Sequence, residues 1–442
     1  MPGFIGLNNL NKSDCLNATV QALAHVRPLR DFFLRCSSHQ PFDLPLPSSS
    51  SSNKKRKRPK TLHINPSTFS PLVQAFASVL CKIWSPHRFK STLDAHTLVH
   101  AISVASHKTY QSGHQAQASD FMAWLLHQLH IGMGGSRKKN SSVIHLIFMG
   151  QVEITTRQPK VVQEVGVEEE DDRLGSGDEE EKGALVTVDE TTFIRSQMEE
   201  IVTHSNFLQL TLDIPEKPLF KDEEGGLVIP QEPLVNILKK FDGMTFTDAI
   251  SHSTKGPCKR RYRLQSLPNH LILCLGRFTK NKFTMEKNPT IVPFPVQNLD
   301  LTNYVFQSKE HTSGAPPPTE DEIRNMSVPQ LKALLRKYSR WDLSKTIVEK
   351  SELIQVCCDF VSKSLPDLLA DKYDLVANIT HDIPAEVGRE GQSNPLEEGT
   401  YRCHVKDKAS GTWYDLQDLH VKEIMPQLIG VSESYVLIFE KK

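Results

Sequence analysis

Apolar residues recur at three- and four-residue intervals over Asn17 to Phe33, Ser70 to Ile83, Ala95 to Val104 and Phe121 to Leu129, and each stretch reads as an amphipathic helix. Alternating or continuously apolar runs come later, at His270 to Phe278, Tyr373 to Ile379, Gly399 to Val405 and Ser434 to Phe439, and read as strands. Helices early and strands late predict an α+β body. Leu331, Leu334 and Leu335, then Leu353, Ile354, Cys357 and Val361, repeat at helical spacing. They predict two short helices joined by an extended segment, the first N-capped by Ser327.

Three segments interrupt this pattern. Residues 41–66 turn to proline and serine and end in a basic run, Lys54, Lys55, Arg56, Lys57, Arg58 and Lys60, that resembles a nuclear localisation signal. A solvated charge run and a contact to RNA phosphate are its other readings. Residues 158–190 carry acidic blocks, Glu168 to Asp172 and Asp178 to Glu181, whose self-repulsion predicts a flexible surface insertion. Residues 307–369 hold a proline-rich linker and the helical pair.

At 442 residues the chain exceeds one ordinary core, so one large domain with insertions, or two to three units, is expected. Lys and Arg equal Asp and Glu at 52 each, so net charge does not point to nucleic acid. The lack of a long uncharged apolar run argues against a membrane span, and the N-terminus lacks the basic-then-apolar order of a secretory signal. A cytosolic or nuclear protein is expected. The eight cysteines form no Cys-x-x-Cys pair, so they are expected to be reduced packing residues.

Candidate chemistry begins at Gly6-Leu7-Asn8-Asn9-Leu10-Asn11-Lys12-Ser13-Asp14-Cys15-Leu16-Asn17. This resembles the nucleophile box of the ubiquitin-specific proteases, Gly-Leu-x-Asn-Leu-Gly-Asn-Thr-Cys-Tyr-x-Asn, with Asp14 at the cysteine. The likeness continues through Asp120-Phe121 with Trp124-Leu125-Leu126, Phe148-Met149-Gly150, Leu267-Pro268 to Arg277-Phe278, Tyr373 to His381, Gly399-Thr400-Tyr401 and Trp413 to Asp418. It implies a papain-like thumb, palm and fingers fold, built from residues 1–306 and 370–442, with flexible and small helical insertions.

The departures fall on the chemistry. By the resemblance, Asp14 replaces the nucleophile, Thr400 the general base, Gln417 the residue that orients the base, and Lys12 the oxyanion donor. Acyl transfer needs an activated nucleophile, a base in reach and an oxyanion donor. None stands at the matched positions, so an inactive relative is expected. A displaced pair, Cys15 with His404, is the alternative for an active deubiquitinase, but a one-residue shift turns a helical side chain by ~100°. His404 would lie roughly 13 Å along a strand from Thr400. Asp14 is instead expected to N-cap the helix that follows. The family's fingers usually hold a structural zinc; only Cys258 is available where the second cysteine pair belongs, so no zinc or other cofactor is expected.

Residues Arg277 to Phe283, Glu286 to Val292, Tyr373 to Ile379 and Trp413 to Leu419 are similar to the inactive branch of that family associated with the spliceosomal tri-snRNP. The resemblance implies a nuclear scaffold in pre-mRNA splicing whose partners are tri-snRNP proteins. That branch also carries an N-terminal zinc-finger domain, which this sequence does not contain. Ubiquitin is a further candidate partner, bound by a module that does not cleave it. Met326 to Leu335 and Val348 to Ile354 resemble a SAP-like motif; such motifs contact DNA or RNA, here through Lys332, Arg336, Lys337 and Arg340 on or near the first helix, while SAP-like relatives serve protein contacts. A small packed insertion without a ligand is the competing reading.

Overall fold

The computed structural model describes residues 1–38, 40–45, 61–87, 90–159, 198–216, 220–221, 227–250, 256–280, 285–305, 319–337, 349–364, 371–383 and 394–442. The basic run Lys54 to Lys60, the acidic blocks and the link between the two predicted insertion helices lie outside the described residues.

The N-terminal part is helical: α1 (Asp14–Ala24), α2 (Arg27–Cys36), α3 (Pro71–Ile83), α4 (His96–Ala105), α5 (Ala118–Gly132) and α6 (Val143–Phe148). Short strands brace it, β1 (Gly6–Leu7) parallel to β4 (Thr92–Leu93), and a hairpin of β2 (Phe42–Pro45) with β3 (Thr61–Ile64). The single helix expected from Asn17 to Phe33 is two. Proline is tolerated only in a helix's first turn, because deeper in it clashes with the carbonyl four residues back. Pro28 therefore opens α2, and the chain turns at His25 and Val26. Ser70 caps α3 by accepting the Val73 N–H, with Pro71 next, as expected for that sequence.

Beyond α6 the chain enters a long antiparallel sheet ordered β10 (Asp242–Ile250), β11 (Pro257–Ser266), β5 (Gly150–Pro159), β6 (Met198–Phe207). These are the fingers. The palm is a larger sheet ordered β19 (His420–Ile424), β18 (Trp413–Gln417), β17 (Thr400–Lys406), β16 (Lys372–Asp382), β20 (Ser434–Lys441), β12 (His270–Gly276), β7 (Leu210–Asp213), with β15 (Leu299–Asp300) on β16. Small hairpins, β8 (Phe220–Lys221) with β9 (Leu227–Val228) and β13 (Phe278–Lys280) with β14 (Met285–Lys287), complete the described strands.

The palm's central strands are apolar throughout because both faces are covered. Side chains alternate across a strand. Ile272, Cys274, Ala377, Ile379, Val436 and Ile438 join the core shared with the helices. Leu271, Leu273, Leu275, Leu375, Leu437 and Phe439 join a second core on the opposite face. The strand expected to run to Phe278 stops at Gly276, because Arg277 turns fully inward. Its Nε donates to the Ser434 carbonyl at 2.5 Å, and its Nη1 to those of Asn288 at 3.0 Å and Thr290 at 2.7 Å.

The helical insertion has a third core of Ile323, Leu331, Leu334, Leu335, Leu353, Cys357 and Phe360. It contains three helices among the described residues rather than two: Glu320–Asn325, Val328–Lys337 and Lys350–Asp359. The first is announced by a capping box, Thr319 with Glu322, a pattern the hydrophobic spacing alone passes over. Ser327 stands at the head of the second, its carbonyl accepting the Leu331 N–H and its own N–H donating to Gln330.

Arg277 generates a prediction. Arg277→Leu strands three carbonyls without their donor in a dry site, and each such group costs about 1–3 kcal/mol. Urea unfolding is expected to show a loss of about 3 kcal/mol or more; a variant within about 1 kcal/mol of the parent contradicts this role.

Candidate functional site

The resemblance assigns four positions to catalysis, and the structure gathers them at the seam between α1 and the β17–β18 edge of the palm. Before α1, Asn11 and Lys12 adopt left-handed backbone angles, φ 59° and 57°. The family box has glycine where Asn11 stands, and asparagine is among the non-glycine residues that tolerate this region.

Asp14 is buried at 3% exposure and is the first residue of α1, not its N-cap. Ser13 holds the cap position and makes no side-chain cap bond; its hydroxyl accepts the Leu10 N–H at 2.7 Å. The N-cap role expected of Asp14 is therefore corrected. From this position the carboxylate stays beside its own backbone N–H and also reaches across the seam. It accepts the Tyr401 N–H at 2.7 Å and the Gln115 amide at 2.9 and 3.0 Å. Gln115 Nε2 also lies 3.3 Å from the Gly399 carbonyl, so one amide spans helix and strand. Burial raises the Asp14 carboxyl above its ordinary value, the bonds from Tyr401 and Gln115 oppose that shift, and nearby Asp418 adds to it.

The other positions also meet neighbours. Lys12 pairs with Glu397 at 2.6 Å. Both side chains are a third or more exposed, so the pair contributes at most about 1 kcal/mol. Thr400 and Gln417 face each other, Gln417 Nε2 donating to Thr400 Oγ1 at 3.4 Å. Gly399, before Thr400, packs so tightly on His381 that a Cβ there would sit 2.0 Å from the ring. Asp418, φ 49°, accepts from Asn17 at 3.0 Å and Asn9 at 2.9 Å, and its carbonyl accepts the Leu7 N–H. Gln115 and Asp418 carry much of this seam, and the sequence reading gave neither a role. Asp418 was visible beside Gln417, whereas no local pattern marks Gln115.

The structure does not join the displaced pair. Cys15 is fully buried among core side chains, and burial, with Asp14 and Asp120 adding to it, pushes its thiol well above the ordinary range. A thiol in that setting is inert, since the thiolate is the nucleophile. His404 is buried on β17, with Nδ1 3.2 Å from the Asn378 amide and Nε2 3.7 Å from Asp415. Burial lowers it to about 4, against the pull of Asp415. No hydrogen bond links Cys15 to His404 among the described residues.

The fingers offer one cysteine, Cys258, buried on β11. A tetrahedral thiolate site needs four ligands, so the residues present do not fit the family's zinc. Among the described residues no three His, Cys, Asp or Glu converge on a point that could hold a metal. No helix of the described residues is long and apolar enough to cross a membrane.

A helical thumb, a two-core palm, a four-stranded fingers sheet and a seam built on the nucleophile and histidine boxes define the ubiquitin-specific-protease fold. The chain belongs to the ubiquitin carboxyl-terminal hydrolase family, whose profile matches residues 5–439. Over its full length it is 33% identical to "Ubiquitin carboxyl-terminal hydrolase 39" of Homo sapiens and of Mus musculus, and spans 59% of their length. It is 27% identical to "Probable mRNA-splicing protein ubp10" of Schizosaccharomyces pombe, of which it spans 65%. Among solved structures it resembles the SAGA DUB module bound to monoubiquitin, with TM-score 0.56 and 13% identity, covering all of this chain and 70% of that one. It also resembles an essential yeast splicing factor, with TM-score 0.52 and 16% identity at the same coverage.

The Asp14 carboxyl yields a pH prediction. Its folded value is raised, so the folded state holds this proton more tightly than the unfolded chain. The contribution is fully present below the unfolded value and is lost as pH rises through the folded one. Asn at this position does not titrate. In urea unfolding, the parent is expected to gain stability relative to Asp14→Asn as pH falls from neutrality towards the ordinary carboxylate value; a flat difference over that whole range, or one of opposite sign, contradicts it.

Proposed function

We propose that this chain is a catalytically inert scaffold of the ubiquitin-specific-protease fold that acts in pre-mRNA splicing. It supports assembly or stability of the spliceosomal tri-snRNP through protein–protein contacts in the nucleus. The observation that carries the inert part is the bonding at the seam. Asp14 is occupied by Tyr401 and Gln115, Thr400 by Gln417, and Lys12 by Glu397, so each matched position is engaged in a structural contact. A carboxylate is a poor nucleophile towards an amide, and a threonine hydroxyl is no base near neutral pH. The buried thiol of Cys15 counts against the active alternative.

The splicing part draws on the relatives, one a probable mRNA-splicing protein of Schizosaccharomyces pombe and one an essential yeast splicing factor. The basic run Lys54 to Lys60 supports nuclear import as part of the same proposal. The domain division enters it too: residues 1–306 with 370–442 form the scaffold, residues 41–66 and 158–190 are insertions in it, the first opening and closing on the β2–β3 hairpin rather than being unstructured throughout, and the SAP-like unit within 307–369 is an appended module.

Two experiments follow. Tagged chain purified from nuclear extract is expected to recover tri-snRNP proteins; recovery no better than from an unrelated tagged protein removes the splicing assignment. Asp14→Cys supplies a thiol but no base, and is expected to leave a ubiquitin–fluorophore substrate uncleaved. Turnover by that variant contradicts the inert reading.

A further inference from the structure

The connection between α5 and α6 walls a cavity of about 490 Å3 whose lining includes His127, His130, Arg137, His145, Asn206 and Phe207, with no Asp or Glu. The His130 and His145 rings stack at 3.9 Å with planes 21° apart. His130 is locked in place. Its Nε2 faces the Ser136 carbonyl at 3.2 Å and so must donate, which leaves Nδ1 to accept the Ser142 hydroxyl at 2.6 Å.

The loop itself is pre-formed. Gly134, φ 79°, turns the chain and donates its N–H to the Ile131 carbonyl, and a Cβ on Gly135 would sit 2.4 Å from the His130 ring. Ser141 closes the far end, accepting the Ser136 N–H at 3.0 Å and donating to the Ser136 carbonyl at 2.7 Å. Lys139 is held by Gln151. Arg137 and Lys138 are exposed and form no ion pair among the described residues. The result is a pre-formed cavity of ordinary ligand size, about 300–1,000 Å3, whose lining includes flat rings and Arg137, with the exposed Lys138 next to Arg137 in the chain.

We propose that this pocket takes one nucleotide of a single-stranded nucleic acid, its base against the imidazole and Phe207 lining and its phosphate on Arg137 and Lys138. Unpaired bases stack on His and Phe faces in a sequence-tolerant way, and cations supply the salt-dependent part of the affinity. A phosphorylated side chain would use the cations but leave the ring-lined cavity empty, so a nucleotide is the better match. Burial lowers both His130 and His145, which keeps the stacked rings neutral near neutral pH. This site is separate from the SAP-like insertion, and its test does not depend on the splicing assignment.

Fluorescence anisotropy of the full chain with a labelled single-stranded oligonucleotide, as RNA and as DNA of one sequence, tests the assignment. Arg137→Ala with Lys138→Ala is expected to weaken binding about tenfold and to make the slope of log K against log salt shallower by about 1.4. His127→Ala, at an exposed position, is expected to weaken binding about fivefold with an unchanged slope. The proposal is overturned if neither oligonucleotide binds, if either set of variants binds like the parent, or if affinity falls only with Lys332→Ala and Arg336→Ala in the insertion. Equal competition by a phosphoserine peptide also overturns it, since that assigns the cations to a protein ligand.

Discussion

A buried carboxylate at the first position of α1 ties the helical thumb to the edge of the palm, and the arrangement of the seam depends on that tie. Asp14 accepts the backbone N–H of Tyr401 and the amide of Gln115. Without it, a buried peptide N–H would lack a partner at a cost of about 1–3 kcal/mol. The rest of α1 follows the same logic, because all eleven of its residues are buried. A helix enclosed on every side must satisfy its polar groups internally. Asn17 reaches Asp418 and the Asn8 carbonyl, and Gln21 reaches the Ile5 carbonyl at 2.7 Å. α1 is thus a central pillar held by side-chain hydrogen bonds across the chain's two ends.

This bears on the likeness to a protease. A thiolate at a helix start is activated by the helix's unpaired N–H groups and a neighbouring base. Here an anion is kept at that place, but its oxygens are engaged by the opposite wall. Thr400 and Gln417, which the resemblance matches to the base and its orienting residue, contact each other as a hydroxyl–amide pair. The fold survives because its cores, on both faces of the palm, are independent of those residues.

Much of the fold was legible because burial leaves period and composition in the chain. The palm strands stand out as apolar runs since both their faces are covered, and α3 stands out by the apolar spacing over Ser70 to Ile83. Errors arose where one residue outweighs a pattern. Pro28 splits a helix that hydrophobic spacing runs together, and Arg277, a charged residue at the end of an apolar run, ends a strand by turning inward. At the site, the identities of Lys12, Asp14, Thr400 and Gln417 were readable from the boxes, but their partners were not. Gln115 lies 101 residues from Asp14, and only the folded chain brings the two together. The N-cap role assigned to Asp14 failed for a related reason: placing the cap one residue too late assigns to the helix a carboxylate that belongs to the opposite strand.

The central claim, that no reactive thiol faces the cleft and the nucleophile position is a structural tie, is tested most directly by a ubiquitin probe carrying a C-terminal electrophile. Intact protein mass spectrometry after incubation at neutral pH is expected to show no ubiquitin adduct on the folded parent chain, with the buried Cys15 alkylated by a small reagent only after unfolding. A covalent ubiquitin adduct mapped to Cys15 under native conditions would contradict the account.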